Sequence, residues 1–534
     1  MSVLAPSFGR LETVEAPPPP SPARRPAIRD RVGILAVLLG ALGLRLWHLG
    51  ARSLWTDEAS SWTAATSPIR ELLRLCAEKD ASPPLFYLLT SLPMKLGSDE
   101  AHLRFVSALA SLGLVWLTYR LARLLWGRGL STLAAAITAL SPFQLMYAQE
   151  ARTYALVSCL TVWALYLFLR AAVLGRRRAW VPFATVSALA LYTQNLALLG
   201  VGVQGAIVLL SPPARRRLLP WIACQAAVLA LYLPWLFVSM AQMTRLSHSH
   251  WYLLPPDERG VMKVLRAVFV SPVALVSPPP SSPLAGLDAW IPARLAQVLL
   301  ILIPALPLAA ALRVARERSE RGALIRTMFA ALVLPLAAVL AVSFKMPLWI
   351  GRYFVLLTPF LAVLLASGMK ALRPRALGVA WAALALVSNA YASLHYDLDY
   401  DKEPWRGVVR AIGQASPPGR TAALVPFDVD PFRFYNSTLA HPVAAFEVSH
   451  PEVPFASEYT ERQLEEMERR AAAQAAPYDE VWVIVRSPNS AVRREVASRT
   501  ERAAAAGRRP TGRWRWDSAG GPLRVARYDR APGR

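Results

Sequence analysis

Charge is scarce in this chain and uneven in sign. Asp, Glu, Lys and Arg make up 18% of its 534 residues, against about 25% in an ordinary soluble domain. Mean hydropathy is +0.33. A soluble globular protein is thereby disfavoured, and the length suits one large membrane domain with a smaller soluble one. Acids are the scarcer sign: 35 Asp and Glu against 59 Lys and Arg leave a formal net charge of +24. Taken alone, that balance suggests an anionic partner such as nucleic acid or an anionic membrane. Cysteine is nearly absent. Cys76, Cys159 and Cys224 lie far apart, two of them in apolar runs, so neither a disulfide framework nor a zinc site is supported.

Long apolar runs, by contrast, are abundant. A membrane-crossing helix needs roughly 20 mostly apolar residues. Eleven segments fit that pattern: 32–50, 104–126, 130–147, 153–174, 179–195, 196–211, 218–240, 293–313, 324–343, 353–370 and 376–394. By hydropathy, Trp180 to Leu210 is one long helix or two short ones. Arg176, Arg177 and Arg178 precede this run and Arg215, Arg216 and Arg217 follow it. The positive-inside rule puts both clusters in the cytoplasm, which requires two crossings. The same parity makes 83–97, interrupted by Pro83, Pro84, Pro93 and Lys95, an interfacial or re-entrant segment. The N-terminus is then cytoplasmic. The 51–103 loop with its interfacial helices, the 148–152 turn, the 241–292 loop, the 344–352 turn and everything after Tyr396 lie outside.

This topology locates the charge. The tail, the cytoplasm-assigned loops and the cytoplasmic ends of the spans that flank them hold 23 of the 59 cations and 5 of the 35 acids. The positive balance is therefore mainly a topology signal, and nucleic acid drops out as a partner. Residues 1–31, rich in Pro and Arg, read as a disordered cytoplasmic tail, and 32–394 as the transmembrane domain. A second proline-rich stretch, 271–283, is a lid or a spacer. From residue 395 to 534 the pattern is that of a small α/β domain outside the membrane. Strand-like runs occur at 421–427, 441–448, 480–487 and 522–528, with helical charge pairs over 460–476. This part has no Gly-rich phosphate loop, no H-E-x-x-H and no G-x-S-x-G, so it reads as a structural or acceptor-binding module rather than a separate enzyme.

Three polar constellations fall on the outer side. After the first span, Asp57 and Glu58 stand between Trp55 and Trp62 at the membrane boundary, where a desolvated carboxylate is costly without a partner or a task. An acidic loop beside an aromatic belt gives the same pattern. Glu150, Arg152 and Tyr154 follow Ser141-Pro142-Phe143 and Tyr147 at the turn between the third and fourth spans. They form a local ion pair in a tight hairpin or a polar cluster facing the same cavity as Asp57. Lys345, Arg352 and Tyr353 place two cations outside, against the local charge trend. Such cations suit a lipid phosphate or snorkel to headgroups.

In their order along the chain these segments resemble the GT-C superfamily of polytopic glycosyltransferases. The likeness is to the family-39-like bacterial branch related to protein O-mannosyltransferases and to the aminoarabinose transferase of lipid A. The carriers are W-T-D-E-A at 55–59, P-P-L-F-Y at 83–87, S-D-E-A-H-L-R-F at 98–105, S-P-F with Y-A-Q-E-A-R-T-Y over 141–154, G-R-Y-F-V-L-L-T-P at 351–359 and K-E-P-W-R at 402–406. The resemblance implies a mainly helical GT-C-like fold and a polyprenyl-phosphate-linked sugar donor used at the outer face of a bacterial inner membrane. It implies Asp57 as general base with Glu58 as its acidic neighbour. Glu150, Arg152 and Tyr154 shape the acceptor side; Arg352 and Tyr353, with Lys345 and Arg104, serve the donor phosphate. Where relatives often carry Tyr-Thr-His this chain has Tyr192-Thr193-Gln194-Asn195, and Ser82 stands where the aminoarabinose branch has lysine. These departures put a histidine role and a lipid A acceptor in doubt.

The chemistry suits these residue types. A departing phosphate is already charged and needs cations more than a proton, while the acceptor hydroxyl needs a carboxylate to take its proton. One base and one phosphate clamp suffice for a single displacement with inversion. The acceptor is a glycan, a lipid or a protein. Asp57, Glu58 and Glu150 are candidate ligands for a divalent metal ion, without diagnostic spacing. The competing readings are a non-catalytic lipid-carrier transporter or sensor and a lipid-linked oligosaccharide ligase. A transporter requires charges buried along several spans, and only Arg45, which can snorkel, stands out.

Overall fold

The computed structural model describes residues 28–80, 82–248, 255–270, 293–450, 459–486, 491–518 and 521–530. Most of the N-terminal tail and the proline-rich stretch 271–283 lie outside them. Each of the eleven apolar segments falls on a helix or a helix pair. Among the described residues six helices are long and apolar enough to cross a membrane, or seven if one bent pair counts as a single span. Their outer faces keep large apolar side chains exposed, such as Leu210, Phe237, Val379 and Val387, the mark of a surface that meets lipid rather than water. The chain is a multi-pass membrane protein with a mainly helical fold.

Two of the apolar segments depart from simple spans. The 130–147 segment is not one helix. Ser141 caps Gln144 N–H and Pro142 occupies the first helical turn, so Arg128–Ala139 and Pro142–Ala148 meet at a 60° bend. Proline lacks the N–H that would continue the first helix. Within the second helix, the Gln144 side-chain amide donates to Val355 O at 2.8 Å and Thr358 Oγ1 at 2.7 Å, which fixes the turn of 3-10 helix Gly351–Leu357 beside it. The Trp180–Leu210 run breaks at Gln194, whose extended backbone ends Trp180–Thr193 before a second apolar helix over Asn195–Leu210. The 83–97 segment forms only Leu85–Thr90 and the short turn Pro93–Lys95, too short to cross.

Close packing has specific requirements. An added Cβ at Gly368 would lie 1.8 Å from Pro307 O, so only glycine lets Thr358–Ala371 approach Ala293–Ala315 this closely. Arg45 does not snorkel. It is fully buried and donates to Ser111 Oγ at 2.9 Å, Ala139 O at 3.1 Å and Ala41 O at 3.2 Å, tying three helices together rather than marking a pathway.

The C-terminal part carries one sheet of five strands: β1 (Thr421–Pro426), β2 (Ala444–Val448), β3 (Glu480–Arg486), β4 (Arg508–Trp516) and β5 (Leu523–Arg530). Their order is β2-β1-β3-β5-β4, parallel across the first three and antiparallel across the last pairs. Side chains alternate between its faces. Ala423, Val425, Trp482 and Ile484 pack with helices Trp405–Ala415 and Asp430–Asn436, and that core runs on to Leu54, Leu103 and Ala151 of the helical part. Leu424, Val481, Val483 and Val485 face Glu461–Ala475 and Ala491–Ala505. The apolar core thus joins the sheet to the end of the helices that carries Leu54, Leu103 and Ala151.

Candidate active site

Helix Thr56–Thr66 begins just after the first span, with Asp57 and Glu58 in its first turn, where the helix dipole favours acids. Successive helical residues point about 100° apart, so the two carboxylates part at once. Glu58 turns inward and is fully buried. Its Oε1 accepts from Arg104 Nε at 2.7 Å and from Ala151 N–H at 2.9 Å; its Oε2 accepts from Arg104 Nη2 and Lys402 Nζ, both at 2.9 Å. Burial alone would raise this carboxyl, but Arg104, Lys402 and the Ala151 N–H outweigh it and hold it down at about 2. The remaining donors of Arg104 go to the carbonyls of Leu49, Arg52 and Ser53. Both side chains are consumed: the bidentate pair joins the first loop, helix Glu100–Ala122, the Glu150 turn and the start of the C-terminal part. Neither a catalytic part for Glu58 nor a phosphate contact for Arg104 fits this placement.

Asp57 turns outward. Its Oδ2 accepts from Arg352 Nη1 at 2.9 Å, and the two side chains keep 28% and 18% of their surface exposed. Trp55 lies under the Arg352 guanidinium, 5.9 Å from ring centroid to Cζ. Residues 57 and 352, almost 300 positions apart in the chain, thus form a partly exposed pair beside a buried network.

Arg152 holds the same helix from the other side. Its Nη1 lies 3.2 Å from both Asp57 O and Asp80 Oδ2, 3.3 Å from Tyr87 Oη and 3.4 Å from Ser61 Oγ. Tyr87 Oη donates to Asp80 Oδ2 at 2.6 Å. Burial would raise the Asp80 carboxyl, yet Arg152 and the Tyr87 hydroxyl keep it lowered. The Arg152 partners are therefore Asp80 and Tyr87, not Glu150 in a hairpin pair.

Glu150 is nearly buried. Its Oε1 lies 3.7 Å from Lys402 Nζ, while its Oε2 has no hydrogen-bond partner among the described residues. Burial pushes its carboxyl up, and the charges on Glu58 and Asp57 add to the rise against Lys402 and Arg352. Burial also holds Lys402 below the ordinary lysine range against the pull of Glu58. With Glu58 saturated, Glu150 is the carboxyl of this pair that takes up a proton. Nearby Tyr154 packs against Tyr147 at 5.1 Å and Tyr353 at 6.5 Å between ring centroids, an aromatic wall beside Glu150.

The structure brings Asp57, Glu150, Arg152, Tyr154, Arg352 and Tyr353 together. Lys345 is exposed, with no described ion pair to the cluster. Because cations and an N–H take both Glu58 oxygens, Asp57, Glu58 and Glu150 do not assemble a metal site. Among the described residues no three His, Cys, Asp or Glu side chains are placed to hold one. Sequence reasoning missed Asp80 and Lys402 as members. Lys402 had a signal in K-E-P-W-R, a segment whose other charges bind Glu403 to Arg486 at 2.7 Å and Arg406 to Glu100 at 2.6 Å. Asp80 had none.

Residues 81–238 match the family model described as dolichyl-phosphate-mannose-protein mannosyltransferase. The fold resembles that of ArnT from Cupriavidus metallidurans in the apo state, with a TM-score of 0.58 at 14% identity over 93% of this chain and 98% of that one. ArnT from the same organism bound to undecaprenyl phosphate gives 0.56 at 15% identity, covering 94% and 98%. The Archaeoglobus fulgidus oligosaccharyltransferase in the apo form gives 0.52 at 14%, covering 85% of this chain and 69% of that chain. No curated protein matches the chain by sequence. The family match and the shared fold bear out the likeness to family-39-like GT-C membrane glycosyltransferases.

Proposed function

We propose that this chain is an inverting glycosyltransferase that moves a sugar from a polyprenyl-phosphate donor to an acceptor hydroxyl at the outer face of a bacterial inner membrane. The supporting observation is the Asp57–Arg352 contact at 2.9 Å, a solvent-reachable acid and cation at the outer end of the helices. The family match over 81–238 and the fold shared with an undecaprenyl-phosphate-bound ArnT favour a lipid-linked donor.

In this reading Asp57 is the base and Arg352 the phosphate clamp. An incoming donor phosphate competes with Asp57 for the guanidinium. Once Arg352 turns to the phosphate, Asp57 loses its counter-charge and becomes the stronger proton acceptor. Donor arrival and base activation are then one event. The acceptor oxygen attacks the anomeric carbon as its proton passes to Asp57; the sugar–phosphate bond breaks, and the polyprenyl phosphate leaves with its charge held by Arg352. Glu150 and the Tyr147–Tyr154–Tyr353 wall shape the space beside the attacking hydroxyl, and Arg152 fixes the turn that carries Asp57. Neither oxygen of Glu58 takes part.

The test is transfer from radiolabelled lipid-linked sugars, extracted from the source membranes, by purified protein in nanodiscs. Labelled product should appear with wild type and vanish with Asp57→Asn. Product formed equally by both removes the proposed base, and label released only as free sugar replaces transfer by hydrolysis.

A further inference from the structure

Arg152 stands between two acids. Its Nη1 reaches Asp80 Oδ2 at 3.2 Å on one side and the backbone carbonyl of Asp57, also at 3.2 Å, on the other. The Asp57 carboxylate belongs to the same residue as that carbonyl, yet it turns to Arg352. Whatever holds Arg152 to Asp80 therefore also keeps a second cation off the proposed base.

Asp80 is firmly held for that task. Tyr87 Oη donates to its Oδ2 at 2.6 Å and Ser82 N–H to its Oδ1 at 3.0 Å, so both carboxylate oxygens are oriented. The backbone is braced as well. Gln242, near the end of helix Leu218–His248, is buried, and its Nε2 donates to Asp80 O at 2.9 Å and to Cys76 O at 2.6 Å. Cys76 lies in the last turn of helix Ile69–Glu78, where carbonyls lack partners within the helix.

The Arg152 side chain is only 11% exposed, and a buried cation needs an anion beside it. Other acids around the turn are engaged: Glu58 by Arg104, Lys402 and Ala151 N–H, and Glu150 by Lys402. Without Asp80, the acid next in reach of Arg152 is Asp57.

We infer that Asp80 is a positioning residue for the transferase proposed above, keeping Arg152 away from the Asp57 carboxylate so that this base faces Arg352, the cation a donor phosphate can draw off. The inference rests on that reading of Asp57 and Arg352. Gln242 acts one step further out, by fixing the backbone of Asp80. If Arg152 were released to the Asp57 carboxylate, Arg352 would be open to phosphate before any donor arrived. Asp57 would then keep a cation that the donor does not remove, and would accept a proton poorly. Donor binding and transfer thus move in opposite directions.

The test uses the full chain in nanodiscs, with undecaprenyl phosphate affinity read by native mass spectrometry and kcat from radiolabelled lipid-linked sugars. Asp80→Asn should bind about threefold more tightly than wild type while kcat falls about tenfold or more. Asp80→Glu, which keeps the charge, should lie nearer wild type in both. Removing the displaced cation too, in Asp80→Asn with Arg152→Gln, should return affinity toward wild type and recover part of kcat, whereas a merely structural role makes the double variant as slow or slower. Unchanged or weaker binding by Asp80→Asn, or a double variant without recovery, overturns the inference. Should Asp80→Asn fail to fold, Gln242→Met should shift both quantities in the same directions by less, and no shift overturns the inference equally. Wild type without transfer but with the expected affinities removes the transferase and leaves Asp80 as the residue that holds Arg152 off Asp57. Transfer that needs Asp57 but is indifferent to Asp80 does the reverse, and a wild type that binds no undecaprenyl phosphate removes the phosphate clamp and this inference with it.

Discussion

Asp57 and Glu58 are neighbours of the same chemical type, yet their surroundings are opposite. Glu58 is fully buried and accepts from Arg104, Lys402 and Ala151 N–H; Asp57 is 28% exposed and its carboxylate faces Arg352. A saturated carboxylate can hold helices together but cannot take a proton without breaking that hold. A partly exposed carboxylate that faces a partly exposed guanidinium can change partners. One helical step, about 100°, separates structure from chemistry, and charge density alone does not say which side is which.

The comparison is most easily broken at Glu58. Glu58→Gln leaves Arg104 and Lys402 buried without their counter-charge and should cost about 3–5 kcal/mol. Thermal unfolding in detergent should therefore show a large loss, against a change within about 0.5 kcal/mol for Asp57→Asn. Equal losses would erase the distinction.

A pH series sharpens the same point. The folded-state pKa of Glu58 is depressed from 4.5 to about 2. Its stabilisation, on the order of 3 kcal/mol, is present above the unfolded value and fades as pH falls through the folded one. Between pH 4.5 and 2 wild type should lose this increment relative to Glu58→Gln, whose remaining acid-dependent loss, such as that at Asp80, is common to both proteins. Parallel curves would mean that the pair contributes nothing.

On the reactive side, Arg352→Gln removes a charge-assisted contact of about 1.5–3 kcal/mol, or roughly 10–100-fold in undecaprenyl phosphate affinity. Lys345→Gln, which alters an exposed lysine outside the cluster, should change that affinity less than twofold. On stability, a small effect is expected at Glu150. Its pKa is raised by burial, so its contribution to stability is present below its unfolded value and lost as pH rises through the folded one. Glu150→Gln should therefore stay within about 1 kcal/mol of wild type at neutral pH and gain relative to it as pH rises from 5 to 8. A large loss at neutral pH would make Glu150 a second structural acid.

Much of the fold was readable because its signals are local. Apolar length placed the eleven helical segments, and short strand-like runs placed β1, β2, β3 and β5. β4 escaped because R-R-P-T-G-R-W-R-W carries Pro510 and Gly512 and runs along an exposed edge, with a register shift between those two residues. The bend at Ser141 was hidden by the continuous apolar run on either side. At the site, residue type led to Asp57 and Arg352, but long-range pairing decided which charges were used up. Arg104 looked like a phosphate ligand until Glu58 and three carbonyls claimed its donors. Asp80 carried no sequence cue because its role depends on Arg152, 72 residues away.

The account's central claim is that donor phosphate and Asp57 compete for Arg352. Undecaprenyl phosphate affinity of Asp57→Asn against wild type, measured by native mass spectrometry in matched nanodiscs, tests it directly. Loss of the competing carboxylate should tighten binding severalfold even as transfer disappears. Unchanged or weaker binding by Asp57→Asn would contradict the claim.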